Sequence, residues 1–502
     1  MKLRLTEIPI DMPYSLVNYL DFPDQDLSQP LQLRIKFERT SFISTAYFTN
    51  EWVIQRTIGL SKKMKDSYNL VFDEEVEVEL RKIEHDAQRL IIEKVNGKIL
   101  GKEEFDKITE GFMDTQIPAQ HASAFALSQH FTTYTSDEIE AMARSFAESG
   151  RIFDFNSPVF DKHSIGGVPG NKITLLIVPI LAAAGLLIPK TSTRAITSAS
   201  GTADTMSVLA PVELAADEVL DLVKKTKGCI VSGRKMGIAP VVDKIIQEAL
   251  FPLGIDPKSL FLAGILAKKI AMGVDFLVLD VPVGTGTKVM NEDEGRKLAR
   301  QFVDLAQRLG IKAEAGLTYA SVPVGHSIGP LLEAKEALEA LAGKGPTSLI
   351  EKSCDLAGID FELAGITPRG MGKQYASEIL NSGRALKKMK EIIEAQGGDP
   401  KITPQDLAAQ LKDKPVLSYK APADGWPHTW NNSALKEIAR TAGAPRDPHA
   451  GIQIISKKEA VKKGEVVFKV YASSDSALDE VQGLIAKLRP VIIESVLLER
   501  VA

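Results

Sequence analysis

The hydrophobic pattern changes period along the chain. Over residues 1–88 apolar positions recur at every second residue: Leu31, Leu33, Ile35 and Phe37 in one run, Val76, Val78 and Leu80 between Glu75, Glu77 and Glu79 in another. A period of two turns one side of a strand to a core and the other to water. This stretch therefore predicts half-buried strands and a β-rich accessory domain. Over residues 96–160 the period becomes helical. Thr135, Ser136, Asp137 and Glu138 form a helix start, and Ile139, Met142, Ala143 and Phe146 follow on one face until Gly150. Residues 161–410 alternate helical runs with short apolar ones, with a buried strand expected within 271–283 and a helix over 292–309. Such alternation predicts an α/β domain with a parallel or mixed sheet.

Residues 173–189 form a seventeen-residue apolar run containing Pro179 and Gly185 between Lys172 and Lys190. It is short for a membrane span and reads as a buried core helix. Residues 412–433, with Pro415, Pro422, Trp426, Pro427 and Trp430, read as a connection into a last unit over 411–502. That unit contains GIQIISKKEAVKKGEVVFKVYASS, with a turn expected near Lys463 and Gly464. It resembles the β-rich end of biotinyl- or lipoyl-like domains but lacks their carrier-lysine motif, so Lys457 and Lys458 are expected to be solvated.

Composition narrows the function classes. The 502 residues suffice for two to four domains. Lys and Arg number 61 against 65 Asp and Glu, a net charge of −4, which excludes nucleic-acid or membrane binding driven by bulk charge. Two cysteines, Cys229 and Cys354, are too few for a disulfide framework or a cysteine-based zinc site. No secretory signal is read in MKLRLTEIPIDMPYSL. The expectation is a cytoplasmic protein with no nucleic-acid or membrane partner, no metal site and no cofactor.

Two glycine- and hydroxyl-rich turns flank the apolar run: DKHSIGGVPGNK at 161–172 and KTSTRAITSASGTADTM at 190–206. Glycines let backbone N–H groups approach an anion, and Lys162, Ser164, Thr193, Thr197, Ser198 and Thr202 offer further donors. The plain alternative is a pair of ordinary loops around a core helix. A nucleotide-binding P-loop is excluded, because its first glycine would fall at Ile165 and no Gly-Lys-Ser/Thr follows.

These two turns, with DPKSLFLAGILAKK at 256–269, VPVGTGTK at 281–288 and AGAPRDPHAGIQI at 442–454, resemble the thymidine phosphorylase and AMP phosphorylase family, in its branch with an extra N-terminal domain. The resemblance implies an α/β fold with a helical domain, completed by residues of about 240–270, opposite a larger α/β domain, and a homodimer or larger assembly. It implies a pentosyltransferase in which inorganic phosphate attacks C1′ of a nucleoside or nucleoside monophosphate. Phosphate would be held by Lys162, Ser164, Gly166, Gly167 and Thr202. The rest of the substrate would lie along Gly167, Thr193, Arg194, Ala195, Ile196, Thr197, Ser198, Thr202, Gly264, Lys268 and Lys288. Asp256 matches the proton donor of the AMP branch and would need burial or a nearby negative charge to keep its proton; it can equally cap the helix that Pro257 opens. His163 is a second candidate donor or a hydrogen-bonded structural residue. Arg194 contacts substrate or anchors its loop, and Lys269, beside Lys268, reads as a solvated helix residue.

The chain also departs from the family. The pyrimidine-gripping arginine of the thymidine enzymes falls at Ala249, the family serine is Gly264, and the APADD motif reads Ala239, Pro240, Val241, Val242, Asp243. The expectation is AMP-type phosphorolysis, with a thymidine or pyrimidine-nucleoside phosphorylase as the alternative. Anthranilate phosphoribosyltransferase shares a comparable glycine-rich turn, but the extra terminal domains weigh against it. The departures at Gly264 and at 239–243 also leave room for a nucleotide sensor without turnover.

Overall fold

The computed structural model describes residues 1–9, 14–25, 31–37, 40–68, 70–80, 86–114, 117–195, 198–457 and 459–495. They form two compact units, 1–149 with 241–261 and 150–240 with 262–502.

The first unit begins with a closed six-stranded barrel. Its strands are β1 (Lys2–Ile8), β2 (Ser15–Asn18), β3 (Leu31–Phe37), β4 (Thr40–Thr49), β5 (Thr57–Ser61) and β6 (Glu75–Leu80), in the order β1-β5-β2-β4-β3-β6. The alternation predicted strands here, though not their closure into a barrel: Leu31, Leu33 and Ile35 are buried with Val76 and Val78, while Leu80 at the end of β6 is exposed. Helices Asp86–Val95, Lys102–Met113, Ala119–Phe131 and Ser136–Glu148 follow. The capping box at Thr135 is present, Glu138 N donating to Thr135 Oγ1 at 3.2 Å and Thr135 N to Glu138 Oε2 at 3.1 Å. Glu138 is also buried and takes Lys94 Nζ at 2.5 Å and Leu100 N at 3.0 Å, so it ties three segments together. Residues 241–261 join this bundle; Ser259 Oγ donates to Gln129 Oε1 at 2.5 Å.

In the second unit, β7 (Phe160–Ser164), β8 (Ile188–Ser192), β9 (Gly228–Ser232), β10 (Phe276–Val283) and β11 (Lys312–Tyr319) are the central strands. Sheets β11-β10-β7 and β8-β9 are parallel, and a parallel bridge from Val159 to Leu187 links β7 towards β8. The apolar run is not one helix. It is helical over Thr174–Ala183, turns at Gly185 (φ 92°) and enters β8 at Ile188. Because Thr174 through Ala182 are all buried, no polar face marks where the helix ends.

The last part holds a sheet of β12 (Ser327–Ile328), β13 (Val416–Lys420), β15 (Gly451–Ile454) and β16 (Val466–Tyr471), in the order β12-β15-β16-β13. A second pair joins β14 (Trp426–Trp430) to β17 (Val491–Glu494). Thus 412–433 is not a bare connection but supplies β13 and β14. Lys457 is not solvated either: it is buried, and its Nζ donates to the Pro323 and Gly325 carbonyls. Lys458 lies outside the described residues.

Candidate functional site

Strand β7 delivers the first turn. Phe160 stacks on Phe276 of β10 at 4.6 Å, and the parallel register sets Ser164 beside Asp280. Asp280 is fully buried and saturated: Ser164 Oγ donates to it at 2.7 Å, Thr318 Oγ1 at 2.6 Å and Asn171 Nδ2 at 3.2 Å, with Lys352 Nζ at 3.1 Å. Burial alone would raise its pKa, but Lys352, Lys162 and the hydrogen bonds from Thr318 and Ser164 hold it below the usual carboxylate value. Its charge orients Ser164 and Asn171 at the carboxyl end of the parallel strands, where α/β sheets bind ligands. Gly166 N donates to Ser164 Oγ at 3.3 Å. Gly167 has φ 97°, and a Cβ there would stand 2.7 Å from Lys288 N. The turn carrying Lys288 therefore closes against Gly167, with Lys288 exposed.

Behind this turn lies a buried ionic cluster. Asp161 accepts Lys190 Nζ at 2.9 Å, Lys269 Nζ at 2.5 Å and Lys162 N at 2.7 Å. Lys269 is therefore not a solvated helix residue; it is buried, with its charge committed to Asp161. Lys162 is also buried, yet among the described residues its Nζ has no hydrogen-bond or ion-pair partner. Burial pushes it down to about 7, against the pull of Asp280. An ammonium with no carboxylate of its own, beside Ser164 and glycine amides, is set to receive an anion. His163 is driven well below its usual pKa by burial and by Lys269, Lys190, Lys162 and Lys288. Its imidazole is neutral at pH 7, able to donate one hydrogen bond but not to serve as a charged acid.

The second turn is clamped by Asp204. This buried carboxylate accepts Ala195 N at 2.7 Å, Gly201 N at 3.0 Å and Arg194 Nη1 at 3.2 Å, and Arg194 Nε reaches Glu213 at 3.3 Å. Arg194 thus anchors its loop while remaining half exposed. A Cβ on Gly201 would lie 2.7 Å from Thr193 O, which shows how closely the two ends of the turn approach. Thr202 opens the Thr202–Ser207 helix, Thr193 is exposed, and Ser198 Oγ donates to Ser200 O at 3.1 Å. Ile196 and Thr197 lie outside the described residues.

Gly264 is buried and Lys268 half-buried on the Lys258–Ala271 helix. Asp256 belongs to the first unit and is exposed rather than buried. The helix's first bond runs from Phe261 N to Pro257 O at 2.9 Å, so Pro257, not Asp256, occupies the capping position. Ala249 is buried. Among the described residues no three or more His, Cys, Asp or Glu side chains are placed to hold a metal ion, and no helix is long and apolar enough to cross a membrane. Sequence reasoning missed Asp161, Asp204, Asp280 and Lys352. Only Asp204 carried a local signal, three residues after Gly201 as a capping box requires. Lys352 and Asp280 find each other only through the fold.

Residues 156–386 match the a/b domain of the Glycosyl transferase family, and residues 88–150 match its helical bundle domain. AMP phosphorylases from Methanosarcina barkeri and Thermococcus kodakarensis are 42% and 41% identical to this chain, over 100% of it and 98% and 99% of their own lengths. Among solved structures, anthranilate phosphoribosyltransferase from Thermus thermophilus superposes with a TM-score of 0.53 at 20% identity, covering 61% of this chain and 99% of that one; it shares the fold. The chain belongs to the thymidine phosphorylase and AMP phosphorylase family, in the branch with an additional N-terminal domain.

Proposed function

We propose that the protein is a pentosyltransferase that phosphorolyses AMP to adenine and ribose 1,5-bisphosphate. The observation that carries this reading is Lys162, a buried amine with no hydrogen-bond or ion-pair partner among the described residues, beside Ser164, Gly166 and Gly167, in a chain alike over its whole length to proteins named AMP phosphorylase. Phosphate bound by these groups and Thr202 attacks C1′. The C1′–N bond breaks with oxocarbenium character, and its electron pair goes to the base. Thr193, Arg194, Ala195, Ile196, Thr197, Ser198, Gly264, Lys268 and Lys288 line the nucleotide, and Asp256 gives a proton to the leaving base. A positioned acid of this kind is worth about 10²–10⁴-fold. His163 orients substrate as a neutral hydrogen-bond donor. The reaction needs no cofactor beyond phosphate as co-substrate, and the enzyme works as a cytoplasmic homodimer or larger assembly.

Incubation with inorganic phosphate and AMP, CMP, UMP or thymidine, followed by assay of free base, tests the substrate. Adenine release that requires phosphate is expected. Thymine release with no base from any monophosphate would overturn the reading in favour of a thymidine phosphorylase.

A further inference from the structure

The segments that leave the carboxyl ends of β10 and β11 are joined by one side chain from the last part of the chain. Asn432 is buried, and its Nδ2 donates to Thr285 O at 3.2 Å and to Ala320 O at 2.8 Å. Both partners are carbonyls, so the amide must point its nitrogen towards them. Its Oδ1 is buried with no hydrogen-bond partner among the described residues. Such a group costs stability and calls for a reason. The helix Asn432–Thr441 does not supply one, because its start is capped by Asn431, whose Oδ1 accepts Ala434 N at 3.0 Å. That helix is a firm base for the donor: Leu435, Ile438 and Ala439 are buried, and Asn431 N donates to Pro490 O at 2.9 Å.

The turn after β10 is closed on itself. Gly284 N donates to Val289 O at 3.0 Å and Thr287 N to Gly284 O at 3.2 Å. Thr287 Oγ1 stands 2.8 Å from Gly284 O and 2.7 Å from Val289 O. Residues 284–289 therefore shift as one piece, and contacts at both ends of it fix where it stands. At Gly286 a Cβ would come 3.3 Å from Asn432 Cβ; at Gly167 a Cβ would come 2.7 Å from Lys288 N. One piece thus takes the Asn432 bond at Thr285 and presents exposed Lys288 beside the Gly166–Gly167 turn.

We propose that Asn432 is a positioning residue of the nucleotide site, fixing the 284–289 turn so that Lys288 meets AMP beside Gly167. The inference rests on the phosphorolysis reading above. A side chain with N–H groups and no charge is what the place requires. Asn432→Asp would set a carboxylate against two carbonyl oxygens, and an apolar residue would leave both carbonyls without this donor.

The test is a double-mutant cycle on the full-length enzyme. KM for AMP and kcat are measured at saturating phosphate for wild type, Asn432→Ala, Lys288→Met and the double variant, with Tm recorded for each. Each single variant should raise KM for AMP about tenfold, the worth of one or two hydrogen bonds. The double variant should stay within about twofold of Lys288→Met, because Asn432 then has nothing to act through. A merely structural role would lower Tm and multiply the two KM effects to about a hundredfold. That product, or a KM left unchanged in either single variant, would overturn the inference. Should Asn432→Ala fail to fold, Asn432→Ser, which keeps one donor, enters the same cycle with an expected rise of about threefold and the same deciding outcomes. A wild type that releases no base from any substrate overturns the proposed function, and this inference with it. Multiplied effects in an active wild type overturn this inference alone.

Discussion

Asp161 and Lys269 stand 108 positions apart in the chain and meet at 2.5 Å inside the second unit, where Asp161 also holds Lys190. Asp161→Asn would leave two buried ammonium groups without their carboxylate. Removing one partner of a buried pair costs about 3–5 kcal/mol, so the variant should unfold at markedly lower denaturant. The pH dependence has a definite sign. Burial opposes ionisation of Asp161, but Lys190 and Lys269 outweigh it and hold its pKa below the usual value. Its contribution is therefore complete above an unfolded value of about 3.9 and is lost as pH falls through the folded one. Urea midpoints at pH 6 and pH 3 should show the gap between wild type and variant narrowing on acidification; a constant gap would contradict the pairing.

Lys162 makes the opposite prediction. Its folded pKa, about 7, lies well below that of an exposed lysine, so the native state binds the proton less readily than the unfolded chain. The penalty is complete below about pH 7 and fades as pH rises towards about 10.4. Lys162→Met should therefore raise stability, by an amount on the order of 3 kcal/mol at pH 6 and much less at pH 10, while abolishing tight phosphate binding. Thermal melting at the two pH values measures it. A lower Tm at pH 6 would show that Lys162 stabilises the fold rather than serving the ligand.

His163 is held neutral by burial and four lysines, which separates two roles that its place in the motif leaves open. His163→Gln keeps a hydrogen-bond donor and removes the titrating ring. It should retain kcat within about tenfold, the worth of roughly one hydrogen bond, with the shape of the kcat–pH profile unchanged. Loss of an acid limb between pH 5 and 8 in that variant would restore His163 as the proton donor.

Much of the fold was legible because burial on one side leaves a period. The barrel strands β3 and β6 and the Thr135 helix start follow directly from alternation and a capping box. Where burial is complete, the period vanishes. Residues 173–189 look like one helix because neither the helix Thr174–Ala183 nor the strand after Gly185 shows a polar face. The lysines were misread for a related reason. Lys269 and Lys457 have surface-like neighbours in sequence, but their partners are a carboxylate and two carbonyls supplied by distant segments. The glycines and hydroxyls of the two turns proposed to cradle an anion stood out in the sequence; the buried charges around the first of them, Asp161, Asp280 and Lys352, did not.

Asp256 offers the sharpest test of the chemistry, because the structure gives it neither the burial nor the capping position expected for it. Its carboxyl is exposed in the first unit, and Pro257 accepts the first helical bond. A structural role would show as a loss of stability in Asp256→Asn, read from its urea midpoint. If the carboxyl protonates the leaving base, the same variant should lose about 10²–10⁴-fold in kcat with KM for phosphate nearly unchanged, since the groups proposed to hold phosphate are Lys162, Ser164 and the glycine turn. The loss should shrink for substrates whose bases leave readily as anions, because they need the acid less. Measuring kcat for wild type and variant across bases of graded leaving ability checks this. A uniform loss over all bases would point to binding, and wild-type turnover would remove Asp256 from the mechanism.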